Sequence, residues 1–205
     1  MIKNLLFDLG GVIMNIRRAD CVEAFRKLGM AEADSYLGEY SQSGPFKGIE
    51  NGDYTPAQFH DAVRAIIGSP VTDEAIDEAF CRFLLGIPAE RLRALEKLHR
   101  NYRIYMLSNT NPIMWHRAIL PYFTADGHSL TYYFDGVLRS YEAGCMKPDP
   151  EIFRQAEERF GIRPGETIFL DDSLHNTEVA ASLGFHTIHV APGQEFLPLV
   201  EQAVK

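Results

Sequence analysis

Leu5-Leu6-Phe7-Asp8-Leu9-Gly10-Gly11-Val12 is the stretch on which the reading of this chain turns. Three consecutive apolar residues end in an aspartate, and two glycines follow. A short run that is apolar at every position suits a strand covered on both faces, as in a parallel sheet. Ile104-Tyr105-Met106-Leu107, Thr167-Ile168-Phe169-Leu170 and Thr187-Ile188-His189-Val190 have the same character. Tyr133-Phe134 with Gly136-Val137-Leu138 suggests one more strand. Helical segments lie between these runs. Pro88 can sit in a first helical turn, with Leu92, Leu95 and Leu98 following at helical spacing. Asp149 can cap another helix with Pro150 at its first position. Ile152, Phe153 and Ala156 form its apolar stripe, and Gly161 ends it. Alternating strands and helices predict a doubly wound α/β domain around a mostly parallel sheet.

From Asn15 to Leu85 the pattern changes. No good strand is visible. Val22, Phe25 and Leu28 space as a helix; Thr55-Pro56 opens another, carrying Phe59, Val63, Ile66 and Ile67; Thr72-Asp73-Glu74 opens a third, carrying Ile76 and Phe80. This predicts a helical insert at residues 15–85, with residues 1–14 and 86–205 forming the α/β core. Within the insert, Glu50-Asn51-Gly52 reads either as a surface turn or as a segment that reaches the site and meets substrate hydroxyls.

The 205 residues are 46% hydrophobic and 23% charged, an ordinary globular balance. The formal net charge of -8 argues against a nucleic-acid backbone or an anionic membrane as partner. Cys21, Cys81 and Cys145 are odd in number and form no CxxC, so neither a disulfide framework nor a zinc site is indicated. The apolar stretch at residues 2–7 is too short for a signal-peptide core, and no run reaches membrane-spanning length. The expected compartment is the cytoplasm. The oligomeric state is not set by these features.

The chemistry-bearing residues follow the strands. The first run ends in Asp8, the second in Ser108-Asn109, and the third in Asp171-Asp172. Open α/β sheets bind ligands beyond the carboxyl ends of their strands. Lys147 lies in the loop Gly144-Cys145-Met146-Lys147-Pro148, and Pro148 biases it towards an extended conformation that can aim it at the same edge. Carboxylates crowded at about 4 Å repel by about 1 kcal/mol per pair in water and about 4 at an effective dielectric near 20. A hard divalent cation with oxygen ligands, Mg²⁺, resolves this and lets a carboxylate approach a phosphate. Asp8 is then placed to attack phosphorus, Ser108 and Asn109 to hold phosphate oxygens, and Lys147 to neutralise charge developing on them.

Four segments, Phe7-Asp8-Leu9-Gly10-Gly11-Val12, Leu107-Ser108-Asn109-Thr110-Asn111, Met146-Lys147-Pro148-Asp149-Pro150 and Phe169-Leu170-Asp171-Asp172, together resemble the haloacid dehalogenase (HAD) superfamily of hydrolases. The resemblance spans nearly the whole chain. It implies that Asp8 is nucleophile and metal ligand, that Asp172 binds the metal, and that Asp171 binds or supports it. The helical insert resembles that family's cap, which closes over the site and selects substrate. One position departs. Most phosphatases of the superfamily carry a second aspartate two residues after the nucleophile, which protonates the leaving group. Here it is Gly10, whose backbone carbonyl can still reach the metal. A missing acid costs on the order of 10²–10⁴-fold. The Asp-Leu-Gly sequence is similar to a branch that includes sugar-phosphate phosphatases such as those acting on glucose 1-phosphate. The expectation is therefore a Mg²⁺-dependent phosphatase of small phosphomonoesters, sugar phosphates above all, working through an aspartyl-phosphate.

Two alternatives stand beside it. A dehalogenase of the same family also lacks the second aspartate but needs no Mg²⁺, which leaves Asp171-Asp172 without a purpose. A protein that keeps the fold and binds partners through its cap fits Gly10 but not an intact Asp8, Lys147 and Asp172. His175 is a further candidate for the missing acid, and Asn15, Arg17 or Arg18 for contact with an anionic substrate.

Overall fold

β1 (Asn4–Phe7) is buried at all four positions and is the middle strand of a five-stranded sheet. The structure, a computed structural model, describes residues 1–38, 42–125 and 127–205. Besides β1 the strands are β2 (Asn15–Ile16), β3 (Leu84–Gly86), β4 (Arg103–Ser108), β5 (Gly136–Arg139), β6 (Thr167–Asp171) and β7 (His186–His189). The sheet order is β5-β4-β1-β6-β7, and every pair in it is parallel. The unbroken apolar runs are explained by the two faces. Leu5 and Phe7 belong to one buried cluster and Leu6 to another, where it meets Tyr105, Leu107, Phe169 and the Ile152, Phe153 and Ala156 stripe. Successive side chains of a strand point to opposite faces, and here helices cover both.

The register decides the site. Phe7 pairs with Met106 on one side and Leu170 on the other. The Asp8 N–H donates to the Leu170 carbonyl at 2.8 Å, extending the ladder one residue past β1. From β1 the chain fills one side of the sheet with β4 and β5, then the other with β6 and β7. The order reverses at β1, and the crevice outside such a switch point is where doubly wound sheets bind ligands.

Between β2 and β3 lie the helices Arg18–Lys27, Ala33–Tyr36, Gly44–Asn51, Pro56–Ile67 and Asp73–Cys81. Thr55 and Gln58 form a reciprocal capping box, and Thr72 caps the last helix through Ala75 N–H. The core of this region is aromatic. Phe46 meets Phe25, Phe59 and Phe80 edge-on at centroid distances of 5.0, 5.2 and 5.2 Å, each such pair adding about 0.5–1.5 kcal/mol beyond its buried area.

Three expectations change here. The insert does contain strand: β2 and β3 pair antiparallel at its two ends. At two and three residues they are too short to show a period, and β3 straddles the expected boundary at 85/86. Glu50-Asn51-Gly52 is not a surface turn but the last turn and left-handed cap of helix Gly44–Asn51. Gly44, Pro45 and Gly48 weaken the local helical signal, and burial of Phe46 and Ile49 supplies what propensity lacks. Tyr133-Phe134 is not strand either, because Tyr133 ends the short helix Leu130–Tyr133. Asp135 makes the turn, exchanging backbone and side-chain hydrogen bonds with Ile104 at 2.7 and 2.8 Å. Trp115 is buried and Tyr122 is exposed.

Candidate active site

Asp8, Ser108, Asn109, Lys147 and Asp172 line one cavity beyond the ends of β1, β4 and β6, with Gly10 beside them. Asp171, the last residue of β6, is fully buried just behind. The Lys147 ammonium sits between two carboxylates, 2.6 Å from Asp8 Oδ1 and 2.7 Å from Asp171 Oδ2. Its position is fixed by Asn109, whose Nδ2 donates to the Lys147 carbonyl and whose Oδ1 accepts from the Lys147 N–H, both at 2.9 Å. Asn109 was expected to give its amide to phosphate. Instead both ends of that amide engage the Lys147 backbone, which leaves one amide hydrogen and the Asn109 backbone N–H for a ligand. Ser108 is buried, and among the described residues its hydroxyl has only a long 3.4 Å contact to the Asn109 carbonyl.

The three carboxylates Asp8, Asp171 and Asp172 have oxygens within 4.8 Å of one another. Their environments differ. Asp171 is saturated: Oδ1 accepts from Ser173 N–H at 2.8 Å and Asn176 Nδ2 at 3.0 Å, and Oδ2 from Lys147 and, at 3.1 Å, Asn176. Asp172 has no side-chain partner among the described residues, and Asp8 keeps one oxygen clear of Lys147. Burial, with Asp171 and Asp172 adding, pushes Asp8 up to about 8 while Lys147 pulls the other way. Burial and then Asp171 push Asp172 up to about 6. Burial and the neighbouring carboxylates thus hold both groups above the usual carboxylate range. An oxygen-only set with two carboxylates available is a donor set that Mg²⁺ accepts, so the residues fit that ion.

Gly11 holds the first loop against this set. It lies at φ +74, and a Cβ there would stand 2.2 Å from Asp172 Oδ2. Gly10 is different: its φ is not left-handed, and among the described residues a Cβ would meet only Ile16, at 3.5 Å.

The far wall of the cavity comes from the helical region and the ribbon. Ile16, Phe83 and Leu84 give apolar surface, and Gln42 and Glu50 give polar groups. Among the described residues, Gln42 Oε1 and Thr110 Oγ1, both in the lining, are buried without a hydrogen-bond partner. Glu50 is 8% exposed and has no hydrogen-bond or ion-pair partner among the described residues. Burial pushes its carboxyl up to about 8. Other candidates lie elsewhere. His175 is exposed, does not line the cavity and pairs loosely with Glu178 at 3.9 Å. Arg17 pairs with Asp20, Arg18 with Asp34, and Asn15 accepts from Arg91. Gln42 and Asn176 lie outside the four motifs; Thr110 lies within the second, but nothing in the sequence marks its hydroxyl for the site.

A parallel sheet switching at β1, with a lysine-bridged aspartate on that strand and an acidic pair on the next, defines a hydrolase core of the doubly wound α/β class. The chain belongs to the haloacid dehalogenase-like hydrolase family, whose sequence profile matches residues 2–184. It is 37% identical over 196 residues to D-ribitol-5-phosphate phosphatase of Bacteroides thetaiotaomicron, covering 96% of this chain and 95% of that one. A HAD family enzyme of the same organism, crystallised with magnesium and inorganic phosphate, superposes with TM-score 0.88 at 40% identity, covering 97% and 99% of the two chains. A HAD-like family hydrolase of Porphyromonas gingivalis gives TM-score 0.92 at 33% identity over 100% and 98%.

Proposed function

We propose that this chain is a Mg²⁺-dependent phosphatase of small sugar or polyol phosphates that works through an aspartyl-phosphate on Asp8. The observation that carries the reading is the unshared oxygen of Asp8 beside the unpartnered carboxylate of Asp172, at the switch point of the sheet. The phosphatase activity of the 37% identical relative and the magnesium and phosphate in its structural neighbour support it. Asp8, Asp172 and the Gly10 carbonyl hold the ion, and Asp171 orients Lys147 and Asn176 behind them. Bound there, Mg²⁺ neutralises the crowded carboxylates and the phosphate oxygens. The free Asp8 oxygen attacks phosphorus in line as the leaving oxygen departs. Ser108 and Asn109 donate to phosphate oxygens, and Lys147 offsets charge gathering on them. Water then releases phosphate from Asp8.

Residues 15–85 act as a cap hinged on the β2–β3 ribbon, and Gln42 and Thr110 meet substrate hydroxyls. Among the described residues no helix is long and apolar enough to cross a membrane. Three free cysteines suit a reducing compartment, the cytoplasm.

The test is phosphate release from a panel containing ribitol 5-phosphate, glucose 1-phosphate and p-nitrophenyl phosphate, with and without Mg²⁺. Asp8→Asn is isosteric but cannot act as nucleophile. It is expected to abolish turnover and leave the fold intact. Retained activity within about tenfold of wild type removes Asp8 from this role, and halide release from 2-chloropropionate without Mg²⁺ transfers the reading to a dehalogenase.

A further inference from the structure

We propose that Glu50 is the proton donor of this site, delivered by the cap to the leaving oxygen that Gly10 cannot serve. The inference rests on the phosphatase reading above and adds the group that makes it work on ordinary alcohol leaving groups. An alkoxide is a poor leaving group, so an ester such as ribitol 5-phosphate needs an acid at the ester oxygen.

Position comes first. Attacking and leaving oxygens lie roughly in line across phosphorus. Asp8 approaches from the sheet, so the leaving oxygen faces the opposite wall, which the cap provides. Of the titratable side chains that line the cavity among the described residues, Asp8 is assigned above as the nucleophile, Lys147 is bound between Asp8 and Asp171, and Asp172 is assigned to hold Mg²⁺. Glu50 is the one that remains, and it stands on the cap side. Its placement is firm. Helix Gly44–Asn51 packs on the core segment Ser140–Ala143, and at Gly52 a Cβ would fall 2.4 Å from the Tyr141 carbonyl oxygen, so the helix end is seated directly on core backbone. Protonation comes second. Among the described residues no cation pairs with Glu50, and burial raises its carboxyl to about 8. At neutral pH it carries the proton that an acid must have.

The step balances as follows. A bond forms between Asp8 Oδ and phosphorus while the phosphorus–ester oxygen bond breaks. The departing oxygen takes the electron pair and the Glu50 proton and leaves as the alcohol. In the second half, the water oxygen bonds to phosphorus and the phosphorus–Asp8 bond breaks; both water protons stay on the phosphate, which then returns one to the Glu50 carboxylate. Phosphate departs, and Asp8 and Glu50 return to their starting forms.

The experiment compares two leaving groups in four proteins: wild type, Glu50→Gln, Gly10→Asp and the double variant. Glutamine keeps the shape and neutrality of the protonated side chain, so Glu50→Gln is expected to fold as wild type does and to melt no lower at pH 7. On ribitol 5-phosphate its kcat should fall by roughly 10²–10⁴, while on p-nitrophenyl phosphate, whose phenolate needs no proton, it should stay within about threefold. Adding Gly10→Asp, for which the backbone has room, should restore at least about tenfold on the alkyl ester alone. Equal losses on both substrates, an unchanged alkyl rate, or a raised KM at constant kcat would each overturn the proposal, the last by making Glu50 a recognition residue. Failure of wild type to release phosphate from either substrate refutes the phosphatase reading instead, and the two failures are thereby separate.

Discussion

Replacing Gly11 with alanine tests whether the first loop and the acidic pair are built against each other. The backbone at Gly11 has φ +74, a conformation that costs an L-residue about 1–2 kcal/mol. The new methyl would also stand 2.2 Å from Asp172 Oδ2 and 2.6 Å from its Cγ. Ordinary heavy-atom contact lies near 3.5 Å, so the carboxylate must retreat by about 1 Å or the loop must lift by as much. The backbone cost alone corresponds to a fall in Tm of roughly 2–8 °C for a domain of this length. Displacing a cation-binding or reacting group by about 1 Å costs on the order of 10²-fold in turnover. The assay is a thermal melt in EDTA and again in saturating Mg²⁺, followed by initial rates on p-nitrophenyl phosphate. We expect a lowered Tm, a smaller Mg²⁺-induced rise and a rate reduced by about two orders of magnitude. A variant that melts with wild type and shows the full Mg²⁺ rise would refute the reasoning, because Gly11 would then not be pressed against Asp172.

Asp172→Ala should abolish the Mg²⁺-induced rise altogether. At 100-fold excess over Kd, binding adds about 2.7 kcal/mol, and an equal rise in wild type and variant at matched ionic strength would show that the ion binds elsewhere. Lys147→Met leaves Asp8 and Asp171 buried without their cation. Breaking such a pair costs about 3–5 kcal/mol, so urea unfolding should show a loss of that order, partly recovered by Mg²⁺, and a loss below about 1 kcal/mol would mean that the pair is worth little. Glu50 makes stability depend on pH. Its folded-state value near 8 lies above the ordinary 4.5, so its contribution is whole below 4.5 and is lost as pH rises through 8. The slope approaches about 1.4 kcal/mol per pH unit between those values. Glu50→Gln lacks this loss and should gain on wild type steadily from pH 5 to 8; parallel curves would contradict the burial of Glu50.

The core of this site is legible in the sequence because it is built from strand ends. Asp8, Ser108 and Asp171 each close an unbroken apolar run, and parallel pairing brings the ends of neighbouring runs to one edge whatever the side chains do. Lys147 is legible only as a possibility. Its route to Asp8 depends on Asn109, and nothing in the sequence says that the Asn109 amide is spent on the Lys147 backbone. Glu50 is harder still. Its segment carries two glycines and a proline, and its burial comes from Phe46 packing with Phe25, Phe59 and Phe80 and from the seating of Gly52 on Tyr141. These contacts join residues far apart in the chain, and no local period encodes them. β2 and β3 escape for a plainer reason: two or three residues cannot display alternation.

Helix Ser140–Ala143 has a consequence beyond its size. On one side Ser140 Oγ bonds both the N–H and the carbonyl of Thr110, each at 3.0 Å. On the other, Tyr141 offers its carbonyl as the seat for Gly52. A single turn of helix is thus the shared mount of the loop after β4 and of the helix that carries Glu50. Energies of substitution at Thr110, Ser140 and Gly52 will not sum, since residues that share a partner couple by about 0.5–3 kcal/mol. Whatever loosens the helical region from the core also reaches, through four residues, the loop that holds Ser108 and Asn109. In thermodynamic terms the docking of one and the order of the other form a cooperative unit.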